Sequence, residues 1–421
     1  MTGCAPYAVR PRRCSRRNRE EGAGTSRVVI VGAGAAGVSA AEAARLENGH
    51  AEITVLGAES YLPYHRPRLT YVLGKSARVE TFLLHPREWY AERRIDLRTG
   101  CRVLAGDQNF VTDEGDNIYR FDSLVLTTGG TSAIPPTPGK DLKGVFALRT
   151  YDDLLAIEEY ARDESAVAII GGGLLGLEAA WSFRQWGKQV YVLDRGTGLL
   201  KNQLDDEGMK TIGRIVESAG VRTVYEADTQ EIAGTGHADG VNLKDGRKIE
   251  AGVVLLSTGV RSETGLARAL GLKTNRGVIV DDRMSAAPGV YAAGDAAEHA
   301  GKVMGIWPVA VAQGKVAGIN AVGGSAVYEP LVPSNTTMVM GTTVFSAGDI
   351  GRGTGPYRTL EWDDGQKDYV KFYIEQPKLA GAILIGQTRK ALKVKALIDS
   401  AAELPAALAA AGDARAFLEA V

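Results

Sequence analysis

Apolar residues in this chain gather into short, uninterrupted runs at 28–32, 167–170, 253–256 and 382–385, set among longer polar or alanine-rich stretches. None approaches the roughly 20 residues that a bilayer-spanning helix needs. The first run is rich in β-branched residues and meets Gly32-Ala33-Gly34-Ala35-Ala36-Gly37, after which residues 38–46 read as an Ala-rich helix. A second strand at 53–56 completes a βαβ unit and leads into Gly57-Ala58-Glu59. The same order then returns as strand 167–170, loop Gly171-Gly172-Gly173-Leu174-Leu175-Gly176, helix 177–186 and strand 189–193, closed by Asp194.

A glycine loop between strand and helix is suited to the pyrophosphate of a dinucleotide. Gly32 and Gly171 make the tight turn, Gly34 and Gly173 let backbone approach the phosphates, and Gly37 and Gly176 allow helix and strand to pack closely. The free N–H groups of the helix start then face the phosphates. Two such units imply two nucleotides. Asp194 is placed to accept from ribose hydroxyls, and Glu59 to do the same in the first unit, displaced by the extra Gly57-Ala58. A 2′-phosphate about 4 Å from a carboxylate would be disfavoured by roughly 4 kcal/mol at an effective dielectric of 20, which selects NADH over NADPH. Arg195, next in sequence, works in the opposite direction.

Two further strands end in Thr-Gly, at Thr128-Gly129 and Thr258-Gly259, each closing one nucleotide domain. Residues 290–295 form another strand ending in Gly294-Asp295, and a helix follows from about Pro308 to Ala321, with proline suited to its first turn.

Composition changes the picture in three ways. With 52 glycines among 421 residues and no Gly-X-Y period, collagen-like and low-complexity readings fail. Lys+Arg 49 against Asp+Glu 50 leaves a net charge of −1 and no broad basic face, so neither nucleic acid nor an anionic membrane is expected as a partner. The three cysteines (Cys4, Cys14, Cys101) lack C-x2-C or C-x4-C spacing and the five histidines are scattered singly, which fits a reducing, cytoplasmic setting without a metal site. Residues 1–26 hold six arginines and no following apolar stretch, and read as a disordered basic tail, with a transit peptide or an over-long translation start as alternatives.

With these residues in hand, nearly everything after residue 26 resembles the flavoprotein pyridine nucleotide oxidoreductases. The resemblance implies an α/β fold of two Rossmann-like domains in a glutathione-reductase-like arrangement, with the NAD(P)H-binding domain (149–277) inserted into the FAD-binding domain (27–148 and 278–330). A small α+β C-terminal domain (331–421) would follow. It also implies FAD on the first loop, NADH (less so NADPH) on the second, the backbone of Val103 at the adenine and Asp295 at the ribitol. Arg66, Thr128, Gly129 and Gly259 would join the cofactor contacts.

The branch is narrowed by 62–70 (Leu-Pro-Tyr-His-Arg-Pro-Arg-Leu-Thr), Trp89-Tyr90, Gln203-Leu204-Asp205, 345–350 and 379–386. These are similar to NADH:rubredoxin reductases and to the diaphorase part of nitrite reductases. Disulfide reductases and NADH oxidases fit poorly, because the stretch 62–73, where their cysteines would lie, contains none. Many ferredoxin reductases have a lysine where this chain has Tyr71, so Glu178 loses its expected partner. Arg68 or Lys75 would substitute, or Glu178 would hold the nicotinamide carboxamide. The arginine usual after the first Thr-Gly is also missing, with Thr131-Ser132-Ala133 in its place. The expected activity is hydride transfer from NADH to FAD and then single-electron transfer to a small redox protein, with rubredoxin first. The alternatives are a ferredoxin- or nitrite-reductase-type electron carrier and a redox sensor like apoptosis-inducing flavoproteins. The chain would act as a monomer or homodimer.

Overall fold

A computed structural model describes residues 26–353 and 355–421. The tail expectation for residues 1–25 lies outside them, as do Cys4 and Cys14. Contacts divide the chain into two units, one built from residues up to Arg66, Arg78–Thr131 and Val260–Pro330, the other from Pro67–Ala77, Ser132–Gly259 and Leu331–Val421. The stretch 132–259 is thus an insertion within the first unit's sequence.

The first unit holds a six-stranded sheet in the order Ser285–Ala287, Val290–Ala292, Ser123–Leu126, Arg27–Val31, Glu52–Leu56 and Ile95–Arg98. Its strands pair in parallel except at the antiparallel Ser285–Ala287 edge. Val28, Ile30, Val55 and Leu124 are buried, as strands covered by helices demand. Chain order reverses on either side of Arg27–Val31, so the first glycine loop leaves the sheet at a topological switch point, where open α/β sheets place ligands. Helix Ala35–Glu47 lies directly on helix Trp307–Ala321. Backbone contact there is close enough that a Cβ on Gly318 would come within 2.1 Å of the Ala40 carbonyl oxygen.

The second unit opens with a five-stranded parallel sheet in the order Arg222–Val224, Gln189–Leu193, Ala166–Ile170, Val253–Leu256 and Val145–Phe146. Ala166–Ile170 feeds the second glycine loop and helix Leu174–Gln185. The same unit contains a five-stranded antiparallel sheet, ordered Ser334–Val339, Thr342–Gly348, Lys378–Ile385, Tyr369–Glu375 and Arg358–Asp363. Helices Ala391–Ser400 and Ala414–Ala420 cover it through Val394 and Phe417, whose ring centroid lies 4.4 Å from that of Phe372.

These contact units do not coincide with the expected domains, since 132–148 falls in the second unit together with 149–259 and the C-terminal segment. Residues 260–277 join the first unit, where helix Gly265–Ala269 packs on strand Val103–Gly106. Residues 67–77 join the second because Glu158 accepts the backbone N–H of Gly74, Lys75 and Ser76, and the Tyr151 hydroxyl donates to the Ala77 carbonyl. Among the described residues, no helix is long and apolar enough to cross a membrane.

Candidate dinucleotide sites

Each glycine of the two loops has its own steric reason. Gly32 and Gly171 sit at φ +112° and +122°, in the left-handed region, and a Cβ on them would lie 2.0 and 2.2 Å from the carbonyl oxygens of Thr127 and Ser257. A Cβ on Gly37 or Gly176 would strike the carbonyl oxygen of its own first glycine at 1.9 or 2.1 Å. Gly34 and Gly173 behave differently, with nothing within 4 Å of a Cβ placed there. They are also the N-cap residues of helices Ala35–Glu47 and Leu174–Gln185, and neither helix has a side-chain cap. Open space beside uncapped N–H groups and the positive end of a helix fits an anionic pyrophosphate at both loops. The second helix therefore starts at Leu174, three residues before the expected 177, because the loop's last residues form its first turn.

Around the first loop, Glu59 is half-buried and held on both oxygens: Arg66 Nη2 lies 2.6 Å from Oε1, and the Tyr64 hydroxyl donates to Oε2 at 2.5 Å. Burial disfavours the charge on Arg66, but Glu59 chiefly, with Tyr64 and Asp295 adding, more than offsets this and raises its pKa above the usual arginine value. Asp295, in the short 3-10 turn Gly294–Ala296, adds a weaker electrostatic influence on Arg66. Val103 opens the strand Val103–Gly106, paired with Asp113. The Thr128 hydroxyl donates to the Glu263 carbonyl at 2.8 Å, and Gly129 follows at φ +73°.

Around the second loop, Asp194 ends strand Gln189–Leu193 and its carboxylate accepts the N–H of Gly172 at 2.9 Å and of Gly196 at 2.7 Å. It fixes the loop's shape from within, while Arg195 is exposed. Gly259, at φ +108°, closes the neighbouring strand.

Glu178 corrects an expectation. Neither Arg68 nor Lys75 pairs with it, and among the described residues it has no ion pair. Its partners are three hydroxyl groups. Tyr71 and Thr337 donate to Oε1 at 2.7 and 2.6 Å, and Thr70 donates to Oε2 at 2.7 Å. The short helix Leu69–Val72 presents Thr70 and Tyr71 side by side, and strand Ser334–Val339 supplies Thr337. Glu178 is 7% exposed, Thr70 4% and Thr337 5%. Burial, and then Glu178 itself, push the Tyr71 hydroxyl up to about 12. Tyr71 thus takes the lysine's place as a hydrogen-bond donor without a charge. Thr337 went unnoticed in the sequence, since a threonine in the polar run Ser334-Asn335-Thr336-Thr337 carries no signal of its own.

The sequence profile of the pyridine nucleotide-disulphide oxidoreductases matches residues 26–314. This chain belongs to that family. A second profile, the rubredoxin NAD+ reductase C-terminal domain, matches 333–402. The family is one of oxidoreductases that use pyridine nucleotides. Relatives include the assimilatory nitrate reductase electron transfer subunit of Bacillus subtilis (strain 168), 34% identical over 368 residues, covering 86% of this chain and 48% of that protein. The NAD(P)H nitrite reductase of the same strain is 33% identical, covering 90% and 48%. The chain therefore spans about half the length of both. The NADH-rubredoxin oxidoreductase of Clostridium acetobutylicum is 29% identical over 381 residues, covering 89% of this chain and 95% of that one. The crystal structure of the rubredoxin oxidoreductase from that organism aligns with a TM-score of 0.77 at 26% identity, covering 94% and 100%. A ferredoxin reductase from Rhodopseudomonas palustris, at TM-score 0.85 and 23% identity over 94% and 99%, shares the fold.

Among the described residues, the disulphide in the family's name has no cysteine pair to form it. Among the described residues the single cysteine of this oxidoreductase is Cys101, buried beside Asp113 and the Tyr119 hydroxyl, and burial holds its thiol above the ordinary range.

Proposed function

We propose that this chain is an NADH-dependent flavoprotein reductase that holds FAD at the first glycine loop and NADH at the second, and delivers electrons one at a time to a small cytoplasmic redox protein, rubredoxin first. The carrying observation is the pair of loops, each open at its middle glycine and uncapped at its helix start, in a chain without cysteine at 62–73. Bound FAD supplies hydride acceptance from nicotinamide and single-electron release, so no thiol relay is needed. The protein's task is then to bind and orient. Gly34 and Gly173 admit pyrophosphate to the helix N–H groups. The Glu59–Arg66 pair and Asp295 orient ribose and ribitol hydroxyls, Val103 meets the adenine, and Asp194 receives the second ribose. Glu178 holds the nicotinamide carboxamide.

Rubredoxin takes first place because the C-terminal segment matches a domain described for rubredoxin NAD+ reductases, and the clostridial relative aligns over 95% of its own length. The higher identities to nitrate and nitrite reductase components favour a second reading, an electron carrier to an assimilatory reductase. Stopped-flow reoxidation of the NADH-reduced protein by rubredoxin, ferredoxin, quinone, dithiol substrates and oxygen tests both. Rapid, salt-dependent electron transfer to rubredoxin is expected. A long-lived reduced flavin that none of these reoxidises at enzymatic rates would refute the reductase and favour a sensor.

A further inference from the structure

The three hydroxyls on Glu178 have an electrostatic consequence. An ionised carboxylate offers about four acceptor positions, and three are filled by Tyr71, Thr337 and Thr70. One position on Oε2 remains. The negative charge is solvated by hydroxyl dipoles but is not neutralised, because no cation pairs with it among the described residues and the group is 7% exposed. Thr70 is itself fixed from behind, its carbonyl accepting the Ser182 hydroxyl at 2.5 Å from the same helix that bears Glu178. Among the described residues the cradle is therefore hydrogen-bonded on both sides of Thr70 and contains no charged partner.

We propose that this neutral cradle makes Glu178 a charge sensor for the nicotinamide ring, favouring the cationic oxidised form over the neutral reduced form, with Tyr71 and Thr337 as positioning residues. The inference rests on the reading that Glu178 faces the nicotinamide end of the second nucleotide. An ammonium at position 71 would cancel the carboxylate's field, whereas a phenol hydrogen-bonds it and leaves the field in place. Strand Ser334–Val339 of the antiparallel sheet thereby takes part in nucleotide recognition, through the hydroxyl of Thr337.

The test uses the FAD-loaded protein and two probes that cannot reduce it: NAD+, and tetrahydro-NAD, whose ring is neutral and gives no hydride. Dissociation constants are measured by calorimetry. Glu178→Gln, close in shape but uncharged, is expected to lower the preference for NAD+ over the neutral probe at least tenfold, since it removes a whole charge–charge interaction. Tyr71→Lys is expected to act in the same direction. Thr337→Val should lower the preference several-fold, and Thr337→Ser should restore it. A Glu178→Gln ratio within twofold of the parent overturns the proposal, whether or not Tyr71→Lys folds. If neither probe binds the parent protein, it is the assignment of the second loop to NADH that fails.

Discussion

Asp205 offers a test of how the parallel and antiparallel sheets of the second unit are tied together. It caps helix Asp206–Ser218, with Oδ1 accepting the Gly208 N–H at 3.0 Å. Its Oδ2 accepts the hydroxyls of Tyr369 and Tyr373, each at 2.8 Å, and lies 2.9 Å from Lys371 Nζ, all on one strand of the antiparallel sheet. Lys371 is shared with Glu361 at 2.8 Å. Asp205→Ala removes a helix cap, worth about 1 kcal/mol, and leaves two buried phenols without an acceptor, at about 1 kcal/mol each. Loss of an ion pair whose side chains are 15% and 16% exposed adds about 1 kcal/mol more. The total is about 4 kcal/mol, or roughly 10 °C in Tm for a domain of a few hundred residues. Asp205→Asn, which keeps the shape, should cost less than half as much. Burial alone would raise the Asp205 pKa, but Lys371, the Gly208 N–H and the two tyrosines together hold it below the usual value. The group's stabilisation is therefore present above the unfolded pKa of about 3.9 and is lost as pH falls through the lower folded value. Thermal melts of the FAD-loaded protein at pH 7 and pH 5 should give the same gap between parent and Asp205→Ala, closing below about pH 4. A Tm change under about 2 °C at pH 7 would refute this account of the fastening.

The loop geometry predicts opposite outcomes for neighbouring glycines. Gly173→Ala should leave the melting temperature within about 1 °C while weakening NADH binding at least tenfold, because its Cβ enters only the open space; Gly176→Ala should destabilise the fold, since its Cβ lies 2.1 Å from the Gly171 oxygen. Equal effects on stability would contradict the division of roles. Asp194→Ala should raise KM for both nucleotides, by releasing the Gly172 and Gly196 N–H groups, and should narrow the NADH/NADPH ratio of kcat/KM at least tenfold. An unchanged ratio would leave Asp194 as a loop support only. With its pKa raised from 10 to about 12, Tyr71 contributes stability that is complete below pH 10 and lost as pH rises through 12. Tyr71→Phe should remove that part of the alkaline loss, followed as tyrosinate absorbance together with melting temperature.

The sequence by itself determined the two strand–glycine loop–helix units, because the first and third glycines of each loop are enforced by close contacts, a Cβ there meeting the strand ends at Thr127 and Ser257 or the loop's own first glycine, while the middle glycines face open space. It also put Glu59 and Asp194 shortly after their strands, at a spacing set by the same βαβ geometry. The tertiary structure decided which groups the acids meet. Glu59 meets Arg66 and Tyr64 through a turn of chain that has no periodic signal, and the partners of Glu178 come from 107, 108 and 159 residues away in sequence. A hydroxyl donor needs only to arrive within about 2.7 Å, and serine, threonine and tyrosine are common in polar stretches, so composition and spacing leave such a partner invisible. The same holds for the unit boundaries at 67–77 and 260–277, which depend on backbone groups finding Glu158 and on one short helix packing against a distant strand. Local sterics write themselves into a sequence as glycine and apolar runs, whereas long-range hydrogen bonds are fixed only when the chain has closed on itself.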